Sequence, residues 1–389
     1  MLNTLTHALD AAAVRAAFPI LQDVTYLNTG TYGLMPEPAL AAYLEATADF
    51  ERSGVASRRN LGASIDEART RIAARLGAQA NEIAFTRNAT DGVNLCLAGF
   101  DWRPGDEIIT TDEEHPAIAH PLAYLKHRRG VVVRTVPVSP RADDMLPRLE
   151  QAAGPATRLI IMSHVTCETG TRLPAREICG WAAARGLLTC FDGAQTLGAL
   201  PVDVAALGVD FYTSNAHKWL SGPKGLGLFY CRKDRLDALN MAHVGAGSLK
   251  AADLDADICE PVDSAARFEF GTRSYTLAVG LNAALDWFEG LGWDNVYAHI
   301  AGLAGYAKAC IAERPHLRLL TPLAAEDSSG LVSFVVTGKQ AQDVAGVLRE
   351  NRITVRVVDH YNCIRIATAH FDTADDVERC LATVDALTA

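Results

Sequence analysis

The stretch that decides the fold is DFYTSNAHKWLSGPKGLGLFY, residues 210–230. VDFYTSN (209–215) and GLGLFYC (225–231) are short runs rich in aromatic and β-branched residues, bounded by turn formers, and read as β-strands. Between them SGPKG carries the glycine and proline that interrupt regular structure. Two lysines fall in this stretch. Lys218 comes three residues after a strand that reads as buried on both faces, where an amine has to be paired, neutral or used covalently. Lys224 lies in a Gly-Pro-Lys-Gly turn and reads as a solvated turn residue.

Outward from this stretch the pattern repeats. Between about residues 80 and 230, EIAFT (82–86), DEIITT (106–111), VVVRTVPV (131–138), TRLIIMSHV (157–165) and LLTCFDGA (187–194) alternate with helix-like segments such as 118–129 and 174–185. Apolar strands separated by helices predict an α/β fold with a mostly parallel central sheet covered on both faces. After about residue 260 a long helical stretch (275–313) precedes GLVSFVVTG (330–338), ITVRVV (353–358) and CIRIAT (363–368), with helices near 340–350 and 373–387. That order predicts a smaller α+β domain. The expected division is a large domain over 22–262 and a small one from 1–21 and 263–389, in keeping with a chain of 389 residues.

Composition narrows the function. Apolar residues make up 49% and charged residues 21%, and no run approaches the roughly 18 apolar residues of a membrane span. The amino-terminal MLNTLTHALDAAAVRAAFPI has no basic stretch leading into an apolar block; it reads as an amphipathic helix rather than a signal peptide, and a cytoplasmic location is expected. Nine cysteines form no C-x-x-C pair, so no metal site is expected, and most read as reduced core residues. A net charge of −10 without a basic block argues against nucleic acid. A small-molecule substrate is expected.

In open α/β sheets ligands gather outside the carboxyl ends of the strands. EIAFT runs into Arg87-Asn88-Ala89-Thr90-Asp91-Gly92, DEIITT into Asp112-Glu113-Glu114-His115-Pro116, and LIIMSHV into a turn with Thr166, Glu168, Thr169 and Gly170. LLTCF hands over Asp192-Gly193-Ala194-Gln195, and DFYTS hands over Asn215-Ala216-His217-Lys218. Singly, Thr90 reads as an N-cap, Asp192 as a carboxylate that needs a cation or donor, and His115 as a turn residue. Together, a carboxylate, a lysine 26 residues later and a helix start suited to an anion are what pyridoxal phosphate needs. Its ring nitrogen stays protonated beside a carboxylate, its aldehyde takes a lysine, and its phosphate takes donors. His115 over the ring supplies stacking.

With these residues the chain resembles the class V members of the fold-type-I pyridoxal-phosphate enzymes: cyst(e)ine carbon-sulfur lyases most closely, with isopenicillin N epimerase and cysteine desulfurases as relatives. The resemblance runs over nearly the whole chain through YLNTGTYG (26–33), TRNATDGVN (86–94), EHPA (114–117), DGAQTLG (192–198), GVDFYTSNAHKWLSGPKGLG (208–227) and RFEFGTRSY (267–275). It implies the fold-type-I PLP-dependent transferase fold. It also implies that Lys218 forms the covalent link to the cofactor, Asp192 pairs with the ring nitrogen, Gln195 contacts the ring hydroxyl and His115 stacks on the ring. Ala89, Thr90, Thr213 or Ser214, and His217 would hold the phosphate. Thr272 matches a residue by which a neighbouring subunit completes that phosphate site, which implies a homodimer with shared active sites.

The resemblance leaves the reaction to the small domain. Arg356 and Arg365 match the two arginines that bind the substrate carboxylate in the cyst(e)ine lyases, and a planar bidentate donor suits a carboxylate. Desulfurases carry a nucleophilic cysteine on a glycine-rich or His-Cys-Ala loop; in VRVVDHYNCIRIATAHF, Cys363 instead lies in or beside a strand and reads as packed. The expected reaction is β-elimination from cystine, cysteine or a cysteine S-conjugate. An isopenicillin N epimerase-like epimerase, or a class V aminotransferase or cysteine desulfurase, is the alternative. A dehydrogenase-like or non-catalytic binding protein is weakened by the lack of a G-x-G-x-x-G after the early strands. Tyr32, His243 and Arg273 are candidates for the substrate pocket.

Overall fold

The computed structural model describes residues 9–388. Of the expected amino-terminal helix, Ala11–Ala16 is helical, and residues 1–8 lie outside the described residues. The central sheet has seven strands: Ile83–Thr86, Glu107–Thr111, Val132–Val136, Thr157–Ser163, Leu188–Asp192, Phe211–Asn215 and Gly227–Cys231. In space they run first, seventh, sixth, fifth, fourth, second, third. Of the seven, Gly227–Cys231 is antiparallel to both its neighbours and the remaining contacts are parallel.

Side-chain alternation explains why these strands read as unbroken apolar runs. Ile160, Met162, Phe191, Tyr212 and Leu228 point to one face and pack with Ile72, Met145, Ile178 and Leu285. Leu159, Ile161, Cys190, Phe211 and Phe229 point to the other and pack with Val93, Leu97, Ile118 and Leu122. Both faces are therefore core. Polar residues are tolerated at the carboxyl edge, where the strands run out.

The stretch 275–313 forms two helices, Thr276–Leu291 and Trp293–Ala312, separated by Gly292 at φ 80°. ITVRVV also divides. Ile353–Thr354 pairs in parallel with Thr25–Tyr26, whereas Arg356–Val358 joins a four-stranded antiparallel sheet with Cys363–Ala367, Leu331–Val336 and Leu317–Leu319. One face of that sheet, with Val332, Phe334, Ile364 and Ile366, packs on the helices Trp293–Ala312, Ala341–Glu350 and Ala374–Asp385. Ser333, Arg365 and Arg356 are paired across three strands and share the opposite face by the period of two. The helices Glu37–Ser53 and Arg58–Arg75 and the exposed hairpin Leu249–Asp253/Ile258–Pro261 were not foreseen in the sequence.

Phe334 is fully buried in the core between the four-stranded sheet and its helices. Phe334→Ala is expected to cost about 3–5 kcal/mol, read as a lowered denaturant midpoint in equilibrium unfolding. A change below about 1 kcal/mol would mean that this core closes over the cavity.

Candidate functional site

Lys218 follows the Phe211–Asn215 strand, and Asp192 ends the strand beside it, so both arrive at the carboxyl edge of the central sheet. The Asp192 carboxylate is buried and accepts one hydrogen bond, from the Ala194 N–H at 2.8 Å. Burial pushes its pKa up, and the Lys218 cation and the Ala194 N–H push it back. Burial likewise lowers the Lys218 pKa; Asp192 and Cys167 oppose that shift and Arg365 adds to it. The two groups influence each other through charge, without a direct ion pair among the described residues.

The loop Asn28–Gly33 holds this arrangement together. The Gly33 N–H donates to the His217 carbonyl at 2.8 Å, and a side chain at position 33 would put its Cβ 1.9 Å from the Lys218 carbonyl oxygen. Gln195 Nε2 donates to the Gly30 carbonyl at 2.9 Å, while Trp219 Nε1 donates to Gln195 Oε1 at 2.9 Å. From the four-stranded sheet, Arg365 reaches Thr31 Oγ1 with Nη2 (3.1 Å) and the Cys167 carbonyl with Nη1 (2.5 Å). Lys224, expected to be a solvated turn residue, is exposed but donates from Nζ to the Gly33 carbonyl at 3.0 Å. It ties the same loop from outside.

His115 caps the helix Pro116–Arg129, its Nδ1 accepting from the Ala117 N–H at 3.0 Å, so the ring proton sits on Nε2. Burial and then the positive charges of Lys218, Arg365, Arg356 and His120 lower its pKa to about 4. Burial, Lys218 and Lys224 do the same to His217, also to about 4. Both rings are therefore neutral near neutral pH. Tyr32 is exposed, with its ring 5.7 Å from that of His217.

The helix Ala89–Gly99 starts at the same edge. Its N-cap is Asn88, whose Oδ1 accepts from the Asp91 N–H at 2.9 Å, and not Thr90, which sits one residue inside the helix. The Ala89 N–H is taken by Asn215 Oδ1 at 2.8 Å. The Thr90 N–H finds no acceptor among the described residues, and Thr90 is exposed. Thr213 Oγ1 donates to the Leu228 carbonyl at 2.9 Å and Ser214 Oγ to the Gly193 carbonyl at 2.7 Å, both in the buried sheet. Thr272 is exposed on the loop before Thr276–Leu291. His243 lies against Phe270 with ring centroids 5.1 Å apart, and Arg273 pairs with Glu269 at 3.2 Å.

Arg365 is buried and faces Arg356 directly across the strand pair, while Arg356 is exposed. Burial, with a smaller part from Arg356, lowers the Arg365 pKa to about 10, and its Nε has no partner. Two residues not singled out in the sequence also belong here. Burial raises the Cys167 thiol to about 11 against the pull of Arg365 and Lys218, which places it beside both. Burial raises Glu114 to about 7, opposed by hydrogen bonds from Thr111 and Ser163 and assisted by Asp192. Glu114 stood in plain view in EHPA next to His115; Cys167 gave no signal beyond its place after a strand.

Among the described residues, a buried carboxylate with one donor, a lysine amine without a hydrogen bond, an unpaired Thr90 N–H and a buried, unpartnered His217 Nδ1 converge at one sheet edge. That set fits a group with a protonated ring nitrogen, an aldehyde and an anion. Among the described residues there is no group of three or more His, Cys, Asp or Glu side chains able to hold a metal, and no helix is long and apolar enough to cross a membrane.

The chain matches the family Aminotransferase class-V over residues 36–380. It is 31% identical to "Probable cysteine desulfurase 2" of Mycobacterium leprae, over 97% of this chain and 96% of that one. It is also 31% identical to "Isopenicillin N epimerase" of Amycolatopsis lactamdurans, over 92% and 93%. Among solved structures, the cystine C-S lyase C-DES in complex with its reaction product cysteine persulfide superposes with a TM-score of 0.87 at 31% identity, over 94% of this chain and 98% of that one. A C-DES mutant with glycine covalently linked to the PLP cofactor gives 0.88 at 30%, over 95% and 98%. The chain thus belongs to the aminotransferase class-V family, and it is a pyridoxal-phosphate enzyme of fold type I.

Proposed function

We propose that the enzyme is a carbon-sulfur lyase that carries out β-elimination on cystine, cysteine or a cysteine S-conjugate, giving pyruvate, ammonia and a thiol or persulfide. The observation that carries this reading is the anchoring of Cys363. It lies inside the Cys363–Ala367 strand, fully buried, and burial pushes its thiol to about 12. The turn before it is tied at every residue: Asp359 to Gln342 at 3.0 Å, His360 to Glu168 at 2.9 Å, Tyr361 to Glu113 at 2.9 Å, and Asn362 to the Ala341 N–H at 2.8 Å. A thiol that takes sulfur from a substrate has to be ionised and to move; burial opposes the first here and the anchored turn opposes the second. Elimination needs no protein thiol.

Pyridoxal phosphate, when bound, supplies an aldehyde for the amino group and an electron sink for charge at Cα. Lys218 provides the covalent link to it, and its lowered pKa enlarges the neutral fraction of Nζ, the form that takes the α-proton. Asp192 would keep the ring nitrogen protonated, Gln195 would contact the ring hydroxyl and neutral His115 would stack on the ring. Thr90 and His217 offer the phosphate free donors. Ala89, Thr213 and Ser214 shape that site from behind, since their own groups bond Asn215 and the sheet backbone. Arg365, fixed by Thr31 and Cys167, presents its guanidinium to the substrate carboxylate with Arg356 beside it. Tyr32, His243 and Arg273 line the approach. Exposed Thr272 completes the phosphate site of a second copy, so the working form is a homodimer, and the substrate is a small amino acid in the cytoplasm.

Supplied with L-cystine and with L-cysteine S-conjugates, the holoenzyme is expected to release pyruvate. Absence of pyruvate, with solvent deuterium entering Cα of an intact amino acid, would replace the lyase reading by epimerisation. Borohydride treatment followed by peptide mass mapping is expected to place the cofactor on Lys218. Lys218→Ala should remove that label and Lys224→Ala should keep it; the opposite pattern would overturn the assignment.

A further inference from the structure

The central sheet splits at the edge where these residues gather. Glu107–Thr111 and Thr157–Ser163 pair only as far as Ile109 and Ile160. Beyond that point Thr110 and Thr111 stay with Thr135 and Val136, and Ser163 stays with Asp192. The strand order reverses at the same place, so a crevice opens between the two carboxyl ends. The Glu114 carboxylate fills it. Thr111 Oγ1 donates to Oε1 at 2.6 Å, Ser163 Oγ donates to Oε2 at 2.8 Å, and the Ser163 N–H is shared by both oxygens at 3.1 Å.

Every partner of this carboxylate is able to donate, and its two oxygens serve strands that no longer touch. The residue after it is His115, and the residue in register with Ser163 is Asp192. One side chain therefore fixes the backbone on both sides of the crevice. An amide at position 114 would turn an N–H2 toward donors, and the bridge would open on one side.

We infer that Glu114 is a positioning residue of the cofactor site: by bridging Thr111 to Ser163 it sets the separation between the His115 ring and the Asp192 carboxylate. This rests on the reading that His115 and Asp192 flank the cofactor ring. Glu114 touches neither cofactor nor substrate. It acts through the seat of the ring, which lies between a residue it adjoins in sequence and a residue it adjoins through the sheet.

The test uses the holoenzyme, Glu114→Gln, His115→Ala and the double variant. The readouts are the visible circular dichroism of the bound cofactor, which reports how asymmetrically it is seated, and cofactor retention in equilibrium dialysis. Glu114→Gln is expected to weaken retention about tenfold, the size of effect seen when partners that orient a site's ligands are removed. It should lower the visible ellipticity while far-UV dichroism stays unchanged. Because both residues act on one seat, the double variant is expected to lose no more than the worse single variant. Wild-type retention and ellipticity in Glu114→Gln, or losses that multiply in the double variant, would overturn the inference. If Glu114→Gln does not fold, Ser163→Ala removes one donor and keeps the carboxylate; it should shift the same two readouts in the same direction, and unchanged values would overturn the inference equally. Failure of the underlying reading has a different signature: His115→Ala with wild-type retention and ellipticity.

Discussion

The approach of Gly33 to the Lys218 carbonyl is the constraint on which the site depends. With no side chain at position 33, two backbones meet and the Gly33 N–H reaches the His217 carbonyl. A Cβ there would require the lysine's own peptide to move. From this contact the loop runs back through Thr31, which receives Arg365, and Gly30, which receives Gln195, to Asn28, which bridges to Ala367 in the small sheet. Position 30 is crowded too: a Cβ there would come within 2.6 Å of Leu331 and 3.2 Å of Arg365 Nη2. Six residues thus hold Lys218, Gln195 and Arg365 in one frame, although these are far apart in the chain.

That frame concentrates charge. Burial first, and then the charges of Lys218, Arg365 and Arg356, keep the His115 ring neutral. The carboxylates nearby, Asp192 and Glu114, are both pushed toward their protonated forms, chiefly by burial. The imbalance favours anions at this edge, because a negative group there would offset the mutual repulsion of Lys218, Arg365 and Arg356. Neutral histidines fit the same logic, since a charged ring at 115 or 217 would compete with the lysine for the same anions.

Much of this was legible in the sequence, because the central sheet follows simple rules. Strands buried on both faces have to be apolar, so LIIMS and LTCF announce themselves, and polar residues collect where each strand ends. Lys218, Asp192 and His115 all follow strands that read in that way, and all three lie at the carboxyl edge of the sheet. What escaped was set by partners far away in sequence. Thr90 reads as a cap, yet Asn88 takes that place because its side chain can reach back to the Asp91 N–H. The resemblance implies that Thr213 or Ser214 holds the phosphate; their hydroxyls donate into the sheet, to the Leu228 and Gly193 carbonyls. Lys224 looks solvated until the loop it binds, some 190 residues earlier, is in place. No local pattern encodes such a choice of acceptor.

The same parity that reveals Arg365 conceals the difference between a ligand and a filler. Cys363 and Arg365 are two residues apart in one strand and share a face, and both are buried. What separates them is the surroundings of each: Arg365 reaches a loop that borders the lysine, whereas Cys363 sits behind a turn stitched to Gln342, Glu168, Glu113 and Ala341. Asn362, the last residue of that turn, adopts φ 46°, a left-handed conformation that asparagine tolerates better than most residues. A cysteine placed after so fixed a turn gains no reach from its chemistry. Within a family that shares a cofactor, the anchoring of one short turn thus bears on whether sulfur passes through the protein or leaves with the product.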